Sequence, residues 1–248
     1  MTSKKDAPQN STPPLAASAA VPSRSASASG GGEVRPLLGL ILTPDRNTTK
    51  PDYKGAFQPE AIHFSRLHGL PRATEIDITR GAGERRAAVF AAIEKMPHDS
   101  DVFACFTHGL RRALPQFGFD NSHAVEFGRA LASRLAPSGV VALYACSTGT
   151  SPNGIGEGDG GFADALRDAI VQASPAWRGH VDAHERAAHT TTNPYVRRMD
   201  YTTDKGGAWI VEPDSALWVK WRTRLNERDP LRLRFPFMTI AEIHESLA

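Results

Sequence analysis

The chain has 248 residues, 40% of them hydrophobic, which is enough to bury one substantial core. Its 29 basic and 27 acidic side chains nearly cancel, so the charge gives no reason to expect a nucleic acid or a membrane as partner. Two cysteines, Cys105 and Cys146, are too few for a disulfide framework, and no apolar run reaches the roughly 20 residues that span a bilayer. We therefore expect a cytoplasmic protein.

The first 35 residues consist mainly of Ser, Ala, Pro and Gly. Such a composition buries too little apolar surface to offset the chain entropy that folding costs, so we expect a disordered tail over residues 1–35. The folded domain is expected to occupy residues 36–248. Its core is predicted over 36–185, and additional C-terminal elements are predicted over 186–248.

Strands and helices are predicted to alternate through the core. Short apolar runs of strand length lie at 37–42, 73–79, 101–107 and 140–145. Apolar residues recur at helical spacing over 84–96, 122–135 and 162–173, with Ser122 as the expected cap of the second helix. This order of elements predicts an α/β fold whose sheet is mostly parallel and has helices on both faces.

The sequence beyond residue 175 gives weaker patterns. Further strands are predicted over 179–185 and 207–211, and further helices over 215–226 and 239–247. Two prolines make 230–237 an expected extended or irregular segment. Arginine clusters at 111–112, 197–198 and 222–234 are interpreted as solvated surface.

A histidine and a cysteine follow two consecutive strands of the predicted sheet. His108 comes directly after the strand at 101–107, and Cys146 comes directly after the strand at 140–145. The carboxyl ends of parallel strands share one edge of a sheet, and neighbouring strands lie about 4.8 Å apart, so we expect the two side chains to lie close together. A nearby imidazole activates a thiol as a nucleophile. Cys105, inside a strand, is predicted to serve packing only.

These two strand ends resemble a known family. A hydrophobic strand ending in His108-Gly109, followed by one ending in Ala145-Cys146, is similar to the signature of the caspase-like cysteine peptidases of clan CD, over roughly residues 36–185. The run ACSTG at 145–149 looks closer to CHAT-domain and separase-type proteases than to caspases. The resemblance implies a caspase-like three-layer sandwich and a cysteine endopeptidase that needs no cofactor.

The resemblance also implies roles for individual residues. It makes His108 the base and leaving-group acid, and Cys146 the nucleophile that forms a thioester acyl-enzyme. It makes the backbone N–H groups of Gly109 and Cys146 the oxyanion hole. In this family the strand after the cysteine often supplies the specificity pocket, where Asp182 would select a basic side chain. Asp45 and Arg46 lie on the same edge, and Arg46 would select an acidic side chain instead, so the charge of the pocket stays open.

Two other functions remain open from the sequence. The poor match to any single subfamily favours a catalytically inactive caspase-like interaction module. His180, Asp182 and His184 alternate on a predicted strand with His189 nearby, a spacing that suits a zinc-dependent hydrolase. For the leading interpretation, the expected partners are a polypeptide substrate and an activating or regulatory protein, and no bound metal is expected. The glycine-rich stretch at 147–161 is predicted to be a mobile surface connection or a substrate-gating loop.

Overall fold

The computed structural model describes residues 35–45, 57–154, 156–187, 192–225 and 229–248. The predicted tail lies outside the described residues except for Arg35, and Arg46 and His189 also lie outside them. Among the described residues, no helix combines the length and the apolar character that crossing a membrane requires.

A mixed sheet forms the centre of the fold. The strands of the described residues are β1 (Gly39–Pro44), β2 (Thr74–Ile76), β3 (Ser100–Phe106), β4 (Ala113–Leu114), β5 (Phe119–Asp120), β6 (Leu135–Tyr144), β7 (His180–His184), β8 (Val196–Asp200) and β9 (Ala208–Trp209). Seven of these described strands form the central sheet in the order β2-β1-β3-β6-β7-β8-β9, and β4 pairs with β5 in a separate hairpin. The neighbours from β2 to β7 are parallel, whereas β8 is antiparallel to both β7 and β9. The predicted α/β fold with a mostly parallel sheet is confirmed.

Helices cover the sheet and form its C-terminal extension. The helices of the described residues are α1 (Gln58–His68), α2 (Ala82–Glu94), α3 (Ala124–Ala132), α4 (Phe162–Ala173), α5 (Trp218–Arg224), α6 (Pro230–Arg234) and α7 (Ile240–Leu247). Side chains from α2, α3 and α4 pack on one face of the sheet, and side chains from α1 pack on the other. The helices α5, α6 and α7 share a third apolar cluster with β8. The layers fit a three-layer sandwich.

Successive residues of the central strands point to opposite faces of the sheet. On β3, Phe103 and Cys105 point towards α2, α3 and α4, whereas Ala104 and Phe106 point towards α1. We call these sides the α2–α4 face and the α1 face. Every residue of β3 is buried, because helices cover both sides of a central parallel strand.

Two boundaries between predicted elements were wrong. Ser122 does not cap α3: a short 3-10 turn (Asn121–His123) precedes that helix, and the carboxylate of Asp120 accepts the Ser122 N–H at 2.9 Å. The helix ends at Ala132, and after a two-residue turn the chain enters β6 at Leu135. Pro137 and Gly139 lie inside this strand at a shift in its register with β3, where an irregularity tolerates them.

Two predictions for the C-terminal region were also wrong. The segment expected to be irregular forms α6, because Pro230 occupies its first turn and the Asp229 carboxylate accepts the Leu231 N–H at 2.8 Å. The arginine clusters are not all solvated. Arg197 and Arg198 on β8 and Arg232 on α6 are buried, with at most 7% of each residue exposed.

Candidate active site

The candidate dyad is positioned by two adjacent parallel strands. β3 and β6 are paired in register, with Phe106 opposite Tyr144 at their carboxyl ends. His108 follows Phe106 by two residues, and Cys146 follows Tyr144 by two residues, so both leave the same edge of the sheet at equivalent positions. Both are partly exposed. The predicted placement of the two residues on one edge agrees with this topology.

The two loops that carry the dyad touch through Gly109. A Cβ atom on Gly109 would lie 2.4 Å from the carbonyl oxygen of Cys146 and 2.9 Å from the carbonyl carbon of Ala145. Real Cβ atoms do not approach other atoms so closely, so only glycine allows the loop after β3 to lie against the loop after β6. The residue next to the imidazole is therefore in van der Waals contact with the residue that carries the thiol.

A buried glutamine fixes the backbone at His108. The Oε1 atom of Gln116 accepts the His108 N–H at 2.8 Å and the Thr107 hydroxyl at 2.8 Å. The imidazole meets the ring of Phe57 edge-on, with the ring centres 4.9 Å apart. Gln116 lies between β4 and β5, and no motif in the sequence marks it, which is why sequence analysis missed this support.

Cys146 begins a tight turn that is anchored on both sides. Ser147 has a φ of 60°, which is uncommon for a residue other than glycine. The Gly149 N–H donates to the His184 carbonyl at the end of β7 (2.9 Å), and the Ala163 N–H at the start of α4 donates to the Thr148 carbonyl (3.1 Å). These bonds hold the turn in one orientation and present Cys146 at the edge of the sheet.

Two backbone donors near the thiol remain available. Within the part of the chain that the structure describes, neither the Gly109 N–H nor the Cys146 N–H donates to an acceptor. The sulfur of Cys146 likewise makes no hydrogen bond among these residues, so the thiol and the imidazole are not directly bonded in this state. Unpaired N–H groups beside a thiol are the donors that an oxyanion requires.

Asp182 is engaged within the fold. Its carboxylate accepts hydrogen bonds from Nε (2.7 Å) and Nη2 (2.8 Å) of Arg198, and His180 Nε2 lies 3.5 Å from it. Burial alone would raise the pKa of Asp182, but the positive charge of Arg198, followed by His180, lowers it to about 2. A carboxylate that is already neutralised in this way is not presented to a basic substrate side chain.

Asp45 and Arg46 were the other two residues expected to line a specificity pocket. Asp45 is buried at the end of β1, where its N–H donates to the Ile76 carbonyl at 2.9 Å. Arg46 lies outside the described residues.

A cavity of about 420 Å³ beside the glycine-rich loop is lined by residues 151–153, 156, 157, 159 and 205, and neither His108 nor Cys146 lines it.

The proposed zinc ligands face one side of β7, as their spacing predicted. However, Asp182 is occupied by Arg198, and the described residues contain no cluster of three or more His, Cys, Asp or Glu side chains suited to a metal ion. Burial, and then the charge of Arg232, lowers the pKa of His184 to about 3, so this imidazole is neutral. The geometry of these residues gives the zinc hypothesis no support.

Cys105 lies on β3, facing the α2–α4 face, and is fully buried. Burial raises the pKa of its thiol far above the ordinary value, so it stays protonated. This setting is that of a packing residue, whereas Cys146 is partly exposed.

The sequence was also compared with known proteins. No protein-family model matches the chain, and no curated protein is significantly similar to it.

Proposed function

We propose that the chain is a cysteine endopeptidase of the caspase-like type, with Cys146 as nucleophile and His108 as base. The observation that carries this proposal is the contact between the His108-Gly109 loop and the Cys146 turn, at equivalent positions past two paired parallel strands. Gln116 fixes the backbone at His108, and the end of β7 fixes the turn after Cys146. Both contacts support a preorganised site.

The chemistry proceeds by acyl transfer through the two side chains. The sulfur of Cys146 attacks the scissile carbonyl carbon while His108 takes the thiol proton, and the N–H groups of Gly109 and Cys146 stabilise the oxyanion. When the C–N bond breaks, His108 donates that proton to the leaving amine and a thioester remains on Cys146. Water then attacks the thioester, His108 accepts one of its protons, and the thiolate leaves the new carboxylic acid and regains the proton.

The proposal is tested with an unbiased peptide library whose products are analysed by mass spectrometry. The wild-type chain should cleave at defined positions, and Cys146→Ala should produce no cleavage. Cys105→Ala is the matched control, since it removes the other thiol of the chain and should leave cleavage intact. Equal cleavage by wild type and Cys146→Ala would overturn the proposal.

The absence of a hydrogen bond between the described Cys146 sulfur and any neighbour favours a second candidate, a caspase-like interaction module without turnover. Catalytic hydrogen bonds are often long in enzymes without substrate, and the peptidase proposal is compatible with the same observation. Labelling separates the two candidates. An acyloxymethyl ketone peptide should modify Cys146 in an active enzyme, whereas an inactive module would stay unmodified while remaining folded.

A further inference from the structure

A short hairpin lies between the two loops that carry the candidate dyad. It extends from Leu110 to Asn121 and contains β4 and β5, and we call it the 110–121 hairpin. Leu114 and Phe117 of this hairpin are fully buried in the apolar cluster on the α2–α4 face. Because these side chains are packed in the core, the hairpin is anchored to the body of the domain.

One part of the hairpin is bonded to the loop that carries the base. Gln116 lies at the carboxyl edge of the sheet and is 4% exposed, and its Oε1 atom accepts both the Thr107 hydroxyl and the His108 N–H at 2.8 Å. The Thr107 N–H still donates to the Tyr144 carbonyl on β6, whereas the His108 N–H lies one residue beyond the paired strands. Gln116 therefore replaces a strand partner at the position of the base.

The two ends of the Gln116 amide are satisfied unequally. Only its oxygen can accept the His108 N–H, which fixes the orientation of the amide. Its Nε2 atom is buried without a hydrogen-bond partner in the described part of the chain. A buried donor without an acceptor destabilises a fold, and an apolar side chain of similar shape would avoid this cost. The glutamine is therefore better explained by the two groups that it accepts than by packing.

Another part of the hairpin is bonded to the segment that follows the Cys146 turn. The Phe162 N–H donates to the Arg111 carbonyl at 2.9 Å. The Nδ2 atom of Asn121 donates to the Gly160 carbonyl, also at 2.9 Å. Both bonds hold the end of the glycine-rich stretch against the hairpin.

The end of the glycine-rich stretch is in turn held against the turn that begins at Cys146. The Ala163 N–H donates to the Thr148 carbonyl at 3.1 Å. A Cβ atom on Gly161 would lie 2.4 Å from the Thr150 carbonyl oxygen, so the two backbones are in direct contact there. A continuous series of contacts therefore runs from the base loop, through the hairpin, to the turn that carries the nucleophile.

We propose that the 110–121 hairpin sets the distance between the base and the nucleophile, with Gln116 as the positioning residue that acts through the backbone of His108. The inference rests on the proposed function, in which the imidazole takes the thiol proton. The His108 Cα atom lies between two fixed points, the N–H bonded to Gln116 and the contact of Gly109 with the Cys146 carbonyl. Together these points determine the direction in which the imidazole leaves the main chain.

Peptide kinetics of matched variants test the role of Gln116. Gln116→Met keeps the length of the side chain and removes the acceptor, so it should lower kcat about 10–100-fold while KM stays within about twofold. Gln116→Glu retains an acceptor oxygen and should keep kcat within about fivefold of the wild type. Gln172→Met, at an exposed position of α4, is the matched control and should change neither constant. Wild-type kcat per folded chain in Gln116→Met would overturn the inference.

Alkylation of Cys146 by iodoacetamide reports on the same distance without a substrate. A thiol beside an imidazole reacts as a thiolate at a lower pH than a free thiol does. In Gln116→Met the alkylation rate at pH 6.5 should decrease about tenfold, whereas the rate at pH 9.5 should stay within about twofold of the wild type. Cys105 is fully buried and should not react. A merely structural role of Gln116 would leave the ratio of the two rates unchanged and would contradict the inference.

A second variant loosens the hairpin at its other attachment. Asn121→Ala removes the bond to Gly160 at a partly exposed position, and it should lower kcat about 3–10-fold. Added to Gln116→Met, it should lower kcat by less than about twofold further, because both substitutions disturb one distance. Effects that multiply would show that the two attachments act independently, against the proposal. Full kcat in Asn121→Ala alone would also overturn it, even if Gln116→Met failed to fold.

These measurements separate this inference from the proposed function. Cleavage that depends on Cys146 but is unchanged in Gln116→Met overturns the inference and leaves the peptidase proposal standing. A lower ratio of alkylation rates in Gln116→Met, in a chain that cleaves no peptide, supports the positioning role and overturns the peptidase proposal. Neither cleavage by the wild type nor a changed ratio in the variant overturns both.

Discussion

The two faces of the central sheet are built from different kinds of residue. The α2–α4 face is a continuous apolar layer in which aromatic rings of Phe103, Phe119, Phe127 and Phe162 contact one another. The α1 face and its junction with α6 instead bury polar groups without hydrogen-bond partners, among them side-chain atoms of Gln58, His68, Tyr144, His184 and Arg232.

We infer from this difference that the α2–α4 face mainly stabilises the fold, whereas the α1 face contributes to function. Apolar burial stabilises a domain, whereas an unsatisfied buried polar atom destabilises it, so natural proteins retain such atoms mainly where they serve a purpose. Among the described residues, most of these atoms lie on the α1 face or at its junction with α6. We therefore expect substitutions on the α2–α4 face to change stability, and substitutions near the α1 face to change turnover and pH dependence.

The largest effect is expected at the dyad itself. His108→Gln should lower kcat/KM for a cleaved peptide by about 10²–10⁴-fold, because the side chain that removes and returns the proton is lost. The melting temperature should change little, since His108 is partly exposed. His98→Gln, at an exposed histidine in contact with Arg134, is the control and should retain full turnover. Equal turnover in the two variants would remove His108 from the mechanism.

On the α2–α4 face, Phe127→Ala should destabilise the domain by about 3–5 kcal/mol. Phe127 is fully buried and its ring is stacked on that of Phe119 with the centres 4.5 Å apart, so truncation leaves a large cavity. Urea unfolding followed by tryptophan fluorescence measures the loss. The kcat/KM of the folded variant for a cleaved peptide should not change. A loss of stability below about 1 kcal/mol, or a lowered kcat/KM of the folded variant, would contradict the division between the faces.

A smaller loss of stability with a clear loss of activity is expected from Gly109→Ala. The new methyl group has to displace the Cys146 carbonyl or its own loop, which should cost about 1–3 kcal/mol of stability and misplace the nucleophile. Gly83→Ala, in the first turn of α2, is the matched control, because its Cβ atom meets nothing closer than 3.9 Å. The control should be slightly stabilised and fully active. Full activity in Gly109→Ala would show that the two loops do not have to touch.

The smallest expected effect is a gradual change of the free energy of unfolding with pH. Burial, followed by the charge of Arg232, lowers the pKa values of His68 and His184 from 6.5 to about 3 in the folded chain. Between these values the unfolded chain binds protons that the folded chain does not, so stability is fully present above pH 6.5 and decreases as the pH falls towards 3. Each histidine should contribute about 1.4 kcal/mol per pH unit.

Urea unfolding at pH 7.5 and pH 5 tests this dependence. His184→Gln, which cannot titrate, should flatten the slope relative to the wild type, whereas His98→Gln on the surface should not. Identical slopes for wild type and His184→Gln would show that His184 is protonated in the folded chain.

The sequence predicted the elements that have a regular apolar pattern. The helix at 162–173 has the bounds of α4, and β3 differs from its expected range by one residue at each end. β6 ends one residue before its expected end but begins five residues before its expected start. The helix predicted at 239–247 corresponds to α7, where Thr239 and Glu242 form a capping box. In these elements, local propensity and tertiary packing favour the same structure.

The elements that the sequence missed bury polar residues. α1 buries Gln58, Glu60 and His68, so its sequence lacks the apolar stripe of an amphipathic helix. β8 buries Arg197 and Arg198. In the sequence alone these two residues have the appearance of a surface cluster, because their partners Glu185 and Asp182 lie far from them along the chain. The partners of a buried charge are distant in the sequence, so periodicity does not reveal them.

The central claim is that the sulfur of Cys146 forms a covalent bond to a substrate carbonyl carbon. Trapping the acyl-enzyme tests it most directly: the chain is mixed with an excess of an activated peptide ester, quenched in acid within milliseconds to seconds, and analysed by intact mass and peptide mapping. We expect one acyl group per chain, attached to Cys146 as a hydroxylamine-sensitive thioester, and slower acylation in His108→Gln. Turnover of the same ester with no acyl group on Cys146, or with the group on another residue, would contradict the account.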